Sequence, residues 1–158
     1  MIKILFVCHG NICRSPMAEF ILKDMVSQMG ISDQFEISSA ATSTEEIWNG
    51  IGNPVYPPAR AELAKHGIRC DGKRAVQLCR QDYDKYDYLI GMDSNNIRNM
   101  ERMLSHKGEK IHKLLEFTGS DADVADPWYT GDFSRTYKDI KKGCEAFLNY
   151  LDHSSDKC

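Results

Sequence analysis

The chain has no long hydrophobic run and no marked excess of charge of either sign. Of its 158 residues, 42% are hydrophobic and 27% are charged, and the formal net charge is −3. No apolar stretch approaches the ~20 residues that a membrane-spanning helix needs, so no membrane partner is expected. The slightly acidic balance gives no reason to expect nucleic acid as a partner either. The length suits a single domain over residues 1–158, in which residues 152–158 are predicted to form a disordered tail.

Cysteine is too sparse for a secreted domain held together by disulfides. The six cysteines instead predict a reduced, cytoplasmic setting, and Met1 leads directly into a strand-like segment with no signal-type leader. Cys8 and Cys13 have no second paired set of cysteine or histidine ligands elsewhere, so no metal site is expected. The chain also lacks the patterns Gly-x4-Gly-Lys-[Ser/Thr] and Gly-x-Gly-x-x-Gly, which argues against a nucleotide-binding protein.

Strand-like and helix-like segments alternate along the chain. Apolar patterns predict strands over residues 2–7, 35–37, 86–92 and 110–114, and helices over residues 16–29, 58–66, 94–104 and 133–151. Ser15 is the predicted N-cap of the first helix, and Pro16 is its first residue. Residues 40–53 and 116–132 are predicted to be irregular, and residues 69–80 stay undecided. This order predicts an α/β fold with a parallel sheet covered on both faces and ligands at the carboxyl ends of its strands.

The first predicted strand ends in a loop that carries a cysteine, a glycine and an arginine. Its sequence is Cys8-His9-Gly10-Asn11-Ile12-Cys13-Arg14-Ser15-Pro16. The loop offers backbone N–H groups, the following helix offers its positive end, and the arginine offers planar donors, which together predict a phosphate site. The same field favours the thiolate of Cys8, which would then be a nucleophile aimed at phosphorus. The alternative is a buried cysteine and an unrelated surface arginine, but the strand, the glycine and the Ser-Pro helix start argue against it.

Displacement of a phosphate ester by a thiolate also needs an acid that protonates the leaving oxygen. The best candidate is Asp126, in the segment Asp126-Pro127-Trp128-Tyr129. Pro127 biases Asp126 towards an extended backbone, and residues 116–132 are numerous enough to form a flap over the site. The alternative is that the Asp-Pro pair only starts a turn.

The segments Val7–Pro16 and Asp126–Tyr129 resemble the low-molecular-weight protein tyrosine phosphatases, and the resemblance extends from Ile2 to about Leu151. It implies a three-layer α/β/α fold with a four-stranded parallel sheet, a phosphate-binding loop after strand 1, no metal and no cofactor. The implied reaction hydrolyses protein phosphotyrosine, and small aryl phosphates, through a cysteinyl-phosphate. The partners would be phosphotyrosine-containing proteins or peptides, with inorganic phosphate and other oxyanions as inhibitors.

The resemblance also implies a role for each reacting residue. Cys8 would attack phosphorus, and Arg14 would bind the phosphoryl oxygens and stabilise the transition state. Asp126 would act first as the general acid and then as the general base for water.

The resemblance assigns supporting positions one at a time. Ser15 would donate to the thiolate, and Asn11 would hold the loop in a strained turn, with Ser39 and His66 as its partners in a buried hydrogen-bond network. Asp93 would orient the loop arginine. From the residues alone, His66 is better explained as a histidine favoured at a helix C-terminus. An N-cap for the next helix explains Asp93 equally well.

The substrate cleft is expected to be lined by aromatic residues. Trp48, Trp128 and Tyr129 match positions where the family places rings beside phosphotyrosine, although the alternative for Trp48 is a core or surface filler. Ile12 stands where protein-arginine phosphatases of this family look to have threonine, which favours phosphotyrosine. His9 occupies a variable position at the pocket mouth.

Cys13 has two interpretations. The resemblance supports a protective disulfide with Cys8 after peroxide has oxidised the Cys8 thiolate to a sulfenic acid. The alternative is a small apolar residue that faces the core.

Other functions fit the sequence less well. An arsenate reductase uses the same oxyanion loop but needs further cysteines on a mobile segment near the site; residues 91–99 contain none, and Cys70 and Cys79 lie earlier in the chain. A non-catalytic phosphotyrosine-binding module would be expected to lack the nucleophile or the acid.

Overall fold

The computed structural model describes residues 1–105 and 108–155, the last three of them by their backbone alone. The strands are β1 Ile2–Cys8, β2 Phe35–Ala41, β3 Ile47–Trp48, β4 Ile51–Gly52, β5 Tyr88–Gly91 and β6 Ile111–Lys113. The α-helices are α1 Arg14–Gln28, α2 Pro57–Lys65, α3 Asp82–Lys85, α4 Ser94–Leu104, α5 Pro127–Thr130 and α6 Phe133–Ser155. Two 3₁₀ turns span Ser32–Gln34 and Leu114–Thr118.

A four-stranded parallel sheet in the order β2-β1-β5-β6 forms the centre of the molecule. Alternate side chains of β1 enter two different clusters. Ile4 and Phe6 pack with residues of α1, α2 and α6 on one face, whereas Leu5 and Val7 pack with residues of α4 on the other. Because both faces of β1 are covered, its sequence is a continuous apolar run, as expected for a buried parallel strand. The predicted three-layer α/β/α fold is confirmed.

The carboxyl ends of β1 and β5 lie side by side and carry the loops that form the candidate site. A Cβ atom at Gly91, the last residue of β5, would lie 2.9 Å from Cδ1 of Ile97 and 3.1 Å from Cβ of Asn96. The absence of a side chain at Gly91 therefore lets α4 lie directly against the strand end. This close approach sets the position of Asp93, the residue that precedes α4.

The start of α1 differs from the prediction. The helix begins at Arg14 rather than residue 16, and its N-cap is Cys13, which makes no capping hydrogen bond through its side chain. The predicted cap, Ser15, lies inside the helix with its hydroxyl 3.0 Å from Sγ of Cys8. The Ser15 hydroxyl is thus engaged by the loop rather than by the helix end.

The segment predicted to be irregular over residues 40–53 contains an antiparallel hairpin of β3 and β4. Asn49 and Gly50 form its turn with φ angles of 51° and 76°, the left-handed geometry that two-residue hairpins favour. The strand β2 also extends to Ala41, four residues beyond the prediction. The sequence did not predict this extension, because the serine and alanine residues at the end of β2 lack the β-branched or aromatic pattern of a strand.

The tail predicted over residues 152–158 is wrong for the part that the structure describes. The backbone of α6 stays helical through Ser155, and residues 156–158 lie outside the described residues. Within residues 1–105 and 108–155, no helix has the length and apolar character required to cross a membrane.

Candidate active site

The loop after β1 wraps around the sulfur of Cys8, which is 3% exposed. The backbone N–H of Asn11 donates to Sγ at 3.3 Å, and the backbone N–H of Ser15 donates at 3.4 Å. The Ser15 hydroxyl is the third contact, at 3.0 Å. Donors directed at one sulfur stabilise a negative charge on it.

Asn11 fixes the shape of this loop. Its φ angle of 59° lies in the left-handed region, which is unfavourable for a residue with a side chain. The Asn11 amide group compensates because Nδ2 donates to Oγ of Ser15 at 2.8 Å and Oγ of Ser39 at 2.9 Å, and Oδ1 accepts from the N–H of Val76 at 3.0 Å. Since the Ser15 hydroxyl accepts from Asn11, its own proton is free to point at Sγ of Cys8.

The hydrogen-bond network continues to an acidic residue that the sequence analysis did not single out. Oγ of Ser39 donates to Oε1 of Glu19 at 2.6 Å, and Glu19 is 4% exposed. Glu19 lies four residues after Ser15 on α1, so both side chains share one face of the helix. That spacing was the available clue, because the face that carries Ser15 has to point towards the loop.

The prediction for His66 is wrong, because the structure does not place it in the Asn11 network. Nε2 of His66 lies 3.0 Å from Oε2 of Glu62, one turn earlier in the sequence. Its ring stacks on Tyr137 of α6 with a centroid distance of 3.6 Å and an interplanar angle of 1°. The histidine therefore joins the end of α2 to α6, which is the interpretation that its helix-end position alone favoured.

Arg14 is 3% exposed and is held at two points. One guanidinium nitrogen donates to Oδ2 of Asp93 at 2.7 Å and to the carbonyl oxygen of Val124 at 2.8 Å. The other nitrogen lies 3.5 Å from Oδ2 of Asp126. Burial acts to lower the pKa of Arg14, but the charge of Cys8 and the hydrogen bond to Asp93 outweigh it and raise the pKa above its usual value. Arg14 is therefore a permanent cation at the base of the cavity.

Asp93 fits both sequence interpretations. Oδ1 of Asp93 accepts from the backbone N–H of Asn96 at 2.7 Å, and Oδ1 of Asn96 accepts from the backbone N–H of Asp93 at 3.2 Å. These two hydrogen bonds form a capping box for α4. The other carboxylate oxygen contacts Arg14. One carboxylate thus links the start of α4 to the phosphate-binding loop.

Asp126 is the N-cap of α5 and opens onto the same cavity as Cys8. Its Oδ1 accepts from the N–H of Trp128 at 3.0 Å, which leaves Oδ2 directed towards Arg14. The Asp126 side chain is 28% exposed. A carboxyl group that is fixed by its backbone and partly open to solvent can exchange protons with a bound molecule and with water.

A cavity of about 360 Å³ opens above the loop. The residues that line it are Cys8, His9, Gly10, Ile12, Cys13, Arg14, Glu45, Glu46, Asp126, Trp128 and Tyr129. The two glutamates were not predicted; Glu45 lies 3.1 Å from Nε2 of His9 at the rim. The ring of Trp128 packs 4.9 Å from that of Tyr56, centroid to centroid, so one aromatic wall is fixed in place.

Trp48 does not line this cavity. It stands at the end of β3 and is 80% exposed. The structure therefore does not place Trp48 in the cavity wall, whereas Trp128 and Tyr129 line the cavity and their contact with a substrate ring stays a prediction. The hairpin turn directs Trp48 outwards, and the glutamates that precede β3 occupy the rim instead.

Cys13 is 6% exposed and packs with Ile12 and Ala75. Burial, together with the negative charges of Cys8 and Asp126, raises the pKa of Cys13 from 9.0 to about 12. Cys13 is therefore a neutral thiol at physiological pH, consistent with a small apolar residue in its resting state. Its predicted disulfide with Cys8 stays a prediction.

Within the described residues, the acidic, histidine and cysteine side chains form no metal centre. In the described part of the chain, no group of three or more of these residues has an arrangement that could hold a metal ion. The charge of the candidate site comes instead from Arg14 and the backbone N–H groups of the loop.

Comparison with known proteins gives one family. A family model described as low molecular weight phosphotyrosine protein phosphatase matches residues 3–157. The low molecular weight protein-tyrosine-phosphatase YfkJ of Bacillus subtilis is 43% identical over 151 residues, which are 94% of this chain and 94% of that protein.

Solved structures agree with the sequence comparison. The crystal structure of YfkJ from Bacillus subtilis has a TM-score of 0.91 at 40% identity, covering 98% of this chain and 96% of that one. The low molecular weight protein tyrosine phosphatase SP-PTP from Streptococcus pyogenes has a TM-score of 0.82 at 41% identity, covering 97% and 99%. The drosophila arginine phosphatase DARP has a TM-score of 0.84 at 30% identity, covering 95% and 98%. The chain belongs to the low-molecular-weight protein tyrosine phosphatase family.

Proposed function

We propose that this phosphatase hydrolyses phosphotyrosine in proteins, and small aryl phosphates, through a cysteinyl-phosphate intermediate. The observation that carries the proposal is the meeting of Cys8, Arg14 and Asp126 in one cavity, with two backbone N–H groups directed at the Cys8 sulfur.

The phosphoryl group binds first. Its oxygens replace water at the loop N–H groups and at the Arg14 guanidinium, which matches them as a planar, bidentate donor. Asp93 and the Val124 carbonyl hold the guanidinium before substrate arrives, so little reorganisation is needed in the transition state. Inorganic phosphate and other oxyanions compete for the same donors and inhibit.

The thiolate of Cys8 then attacks phosphorus. The new S–P bond forms as the P–O bond to the tyrosine breaks, and the electron pair leaves with the phenolic oxygen. Asp126, as the carboxylic acid, gives its proton to that oxygen, so tyrosine leaves neutral. Ser15 and Asn11 stabilise the sulfur before attack and when it leaves again.

Water completes the cycle. The Asp126 carboxylate takes a proton from a water molecule, the water oxygen attacks phosphorus, and the S–P bond breaks to release phosphate and the Cys8 thiolate. Asp126 is thereby protonated again for the next turnover. No metal ion or cofactor is required to balance these steps.

The cavity walls support a phosphotyrosine substrate. Trp128 and Tyr129 offer apolar faces to an aryl ring, and Ile12 adds an aliphatic wall. The drosophila relative is described as an arginine phosphatase, so phosphoarginine is the relevant competing substrate. Arsenate reduction has less support, because the relatives are phosphatases and no cysteine lies within residues 91–99.

The proposal is tested with p-nitrophenyl phosphate, a phosphotyrosine peptide and a phosphoarginine peptide. We expect turnover of the first two, a kcat/KM for phosphotyrosine well above that for phosphoarginine, and a phosphocysteine on Cys8 in acid-quenched samples analysed by mass spectrometry. Cys8→Ser is expected to lose turnover and keep phosphate binding, because the hydroxyl is a far weaker nucleophile than a stabilised thiolate. Substantial turnover by homogeneous Cys8→Ser contradicts the covalent mechanism.

A further inference from the structure

A buried pair of opposite charges lies behind the phosphate-binding loop. Glu19 has a side chain that is 6% exposed, and its Oε1 lies 3.6 Å from Nζ of Lys73. The Lys73 side chain is only 12% exposed, and its Nζ donates to the backbone carbonyl oxygen of Ser39 at 3.0 Å. Buried ions are costly unless they are paired and hydrogen-bonded, so this arrangement needs a reason beyond filling space.

The pair holds Ser39 at both of its polar ends. Glu19 accepts from the Ser39 hydroxyl at 2.6 Å, and Lys73 binds the Ser39 carbonyl. The same hydroxyl accepts from Nδ2 of Asn11. The position of Ser39, and therefore of the acceptor that Asn11 needs in its left-handed conformation, depends on both charged residues.

The segment that carries Lys73 also reaches Asn11 directly. Three residues after Lys73, the N–H of Val76 donates to Oδ1 of Asn11 at 3.0 Å. Nδ2 of Asn11 is thus held by Ser39, which Lys73 binds, and Oδ1 of Asn11 is held by Val76, which lies in the same segment as Lys73. Burial lowers the pKa of Lys73, and the negative charges of Glu19 and, more weakly, Cys8 oppose this shift without cancelling it.

We propose that Lys73 is a positioning residue for catalysis: paired with Glu19, its ammonium orients Ser39 so that Asn11 keeps its N–H on the Cys8 sulfur. The inference deepens the proposed function and rests on it. Lys73 touches neither the substrate nor the reacting atoms. Its effect passes from Lys73 to Ser39, through the direct bond to the Ser39 carbonyl and with the help of Glu19, then to Asn11 and the sulfur.

The chain supplies a matched control in Lys23. Its Nζ lies 2.6 Å from Oε2 of the same Glu19, closer than that of Lys73, but the Lys23 side chain is 43% exposed. No contact of Lys23 with Ser39 is found in the described residues, whereas Lys73 binds it directly. Lys23→Met therefore removes a positive charge from Glu19 without removing the bond that positions Ser39.

The test compares Lys73→Met, Lys73→Arg and Lys23→Met. The readouts are kcat and KM for p-nitrophenyl phosphate, the pH midpoint of Cys8 alkylation by iodoacetamide, and thermal stability. We expect Lys73→Met to lower kcat by about 10- to 100-fold, the scale of a slightly misplaced site, and to move the alkylation midpoint to higher pH. Lys73→Arg is expected to restore part of both, and Lys23→Met to stay within about twofold of the parent.

Two results overturn the proposal. One is a Lys73→Met protein with parental kcat and alkylation midpoint, whatever its melting temperature, because that outcome assigns Lys73 to stability alone. The other is an equal change in Lys23→Met, which assigns the effect to charge near Glu19. If Lys73→Met does not fold, Glu19→Gln/Lys73→Met, which removes both charges, is measured in its place against the same criteria. Alkylation needs no turnover, so failure of the phosphatase assignment is distinguishable from failure of this inference.

Discussion

Asp93 offers a substitution that separates two duties of one carboxylate. In Asp93→Asn, the side-chain oxygen can still accept from the N–H of Asn96 and cap α4, because asparagine is as good an N-cap as aspartate. The second carboxylate oxygen, which accepts from Arg14 at 2.7 Å, is replaced by an amide nitrogen that can only donate. Arg14 then faces a donor and loses its orientation, while the helix start is kept.

The size of the effect follows from the contact that is lost. A hydrogen bond to a charged group contributes about 1.5–3 kcal/mol, which corresponds to about 10- to 150-fold in rate if it acts in the transition state. Arg14 keeps its bond to the Val124 carbonyl at 2.8 Å, so we expect a loss of kcat/KM in the lower half of that range. Asp93→Ala removes the cap as well, about 1 kcal/mol, and is expected to melt roughly 2–4 °C lower than Asp93→Asn.

The assay measures kcat/KM with p-nitrophenyl phosphate, inhibition by inorganic phosphate and the melting temperature of both variants. Weaker phosphate inhibition in Asp93→Asn, at a near-parental melting temperature, is the expected signature. Parental kcat/KM and phosphate inhibition in Asp93→Asn would show that Arg14 does not need Asp93. An equal fall in melting temperature for both variants would show that the cap was lost in each.

Three further predictions concern the acid, the second loop cysteine and the aromatic wall. Asp126→Asn is expected to lose about 10²- to 10⁴-fold in kcat with phosphotyrosine, and less with leaving groups of low pKa, which need no proton. Cys13→Ser is expected to recover less activity with dithiothreitol after mild peroxide, because the sulfenic acid of Cys8 then lacks a thiol partner. Trp128→Ala is expected to raise KM for phosphotyrosine peptides several-fold, and Trp48→Ala to change it little, since only Trp128 lines the cavity.

Cys13 also predicts how stability depends on pH. Its pKa is raised by burial from 9.0 to about 12 in the folded protein, so above pH 9 the unfolded chain loses a proton that the folded protein keeps. The Cys13 contribution to stability is complete below pH 9 and is lost as the pH rises towards 12. The urea midpoint is expected to fall between pH 8 and pH 10.5, with a smaller fall in Cys13→Ser.

Each of these predictions has an outcome that contradicts it. An equal loss across a leaving-group series would give Asp126 a structural role only. Peptide mapping that finds Cys8 joined to a cysteine other than Cys13, or to none, refutes the protective disulfide. Equal KM changes in the two tryptophan variants contradict the place of Trp128 in the wall, and an identical pH dependence in Cys13→Ser assigns that dependence to other groups.

The parts of the site that could be predicted from the sequence are those formed by residues close to one another in the chain. A strand, a five-residue loop and a helix follow one another from Ile2, so the geometry around Cys8 and Arg14 depends on neighbours in the chain. Asp126 was found because the chemistry requires an acid, and its Asp-Pro segment indicates a fixed backbone. The alternation of strands and helices was likewise enough to predict a parallel sheet with helices on both faces.

The parts that could not be predicted depend on contacts between distant segments. Lys73 lies in an undecided stretch without helical or strand periodicity, and only the fold brings it to Ser39. The resemblance placed His66 in the Asn11 network, but its ring nitrogen contacts Glu62, one helical turn away. Trp48 faces outwards because Asn49 and Gly50 form a tight turn, and a hairpin of two-residue strands has too little pattern to be recognised.

The order of the strands in the sheet has a consequence for how the protein is made. Strand β1 precedes both β2 and β5 in the chain, yet it lies between them in the sheet. When β1 and β2 have left the ribosome, the Cys8 loop still lacks Asp93 and Val124, which hold Arg14 in the finished protein. The face covered by α6 is also open at that stage, because its core residue Phe147 is synthesised after both strands. A nascent chain therefore carries Cys8 before the groups that hold Arg14 beside it exist. Pairing between parallel strands so far apart in sequence is intrinsically slow, which prolongs the interval in which Arg14 lacks these partners.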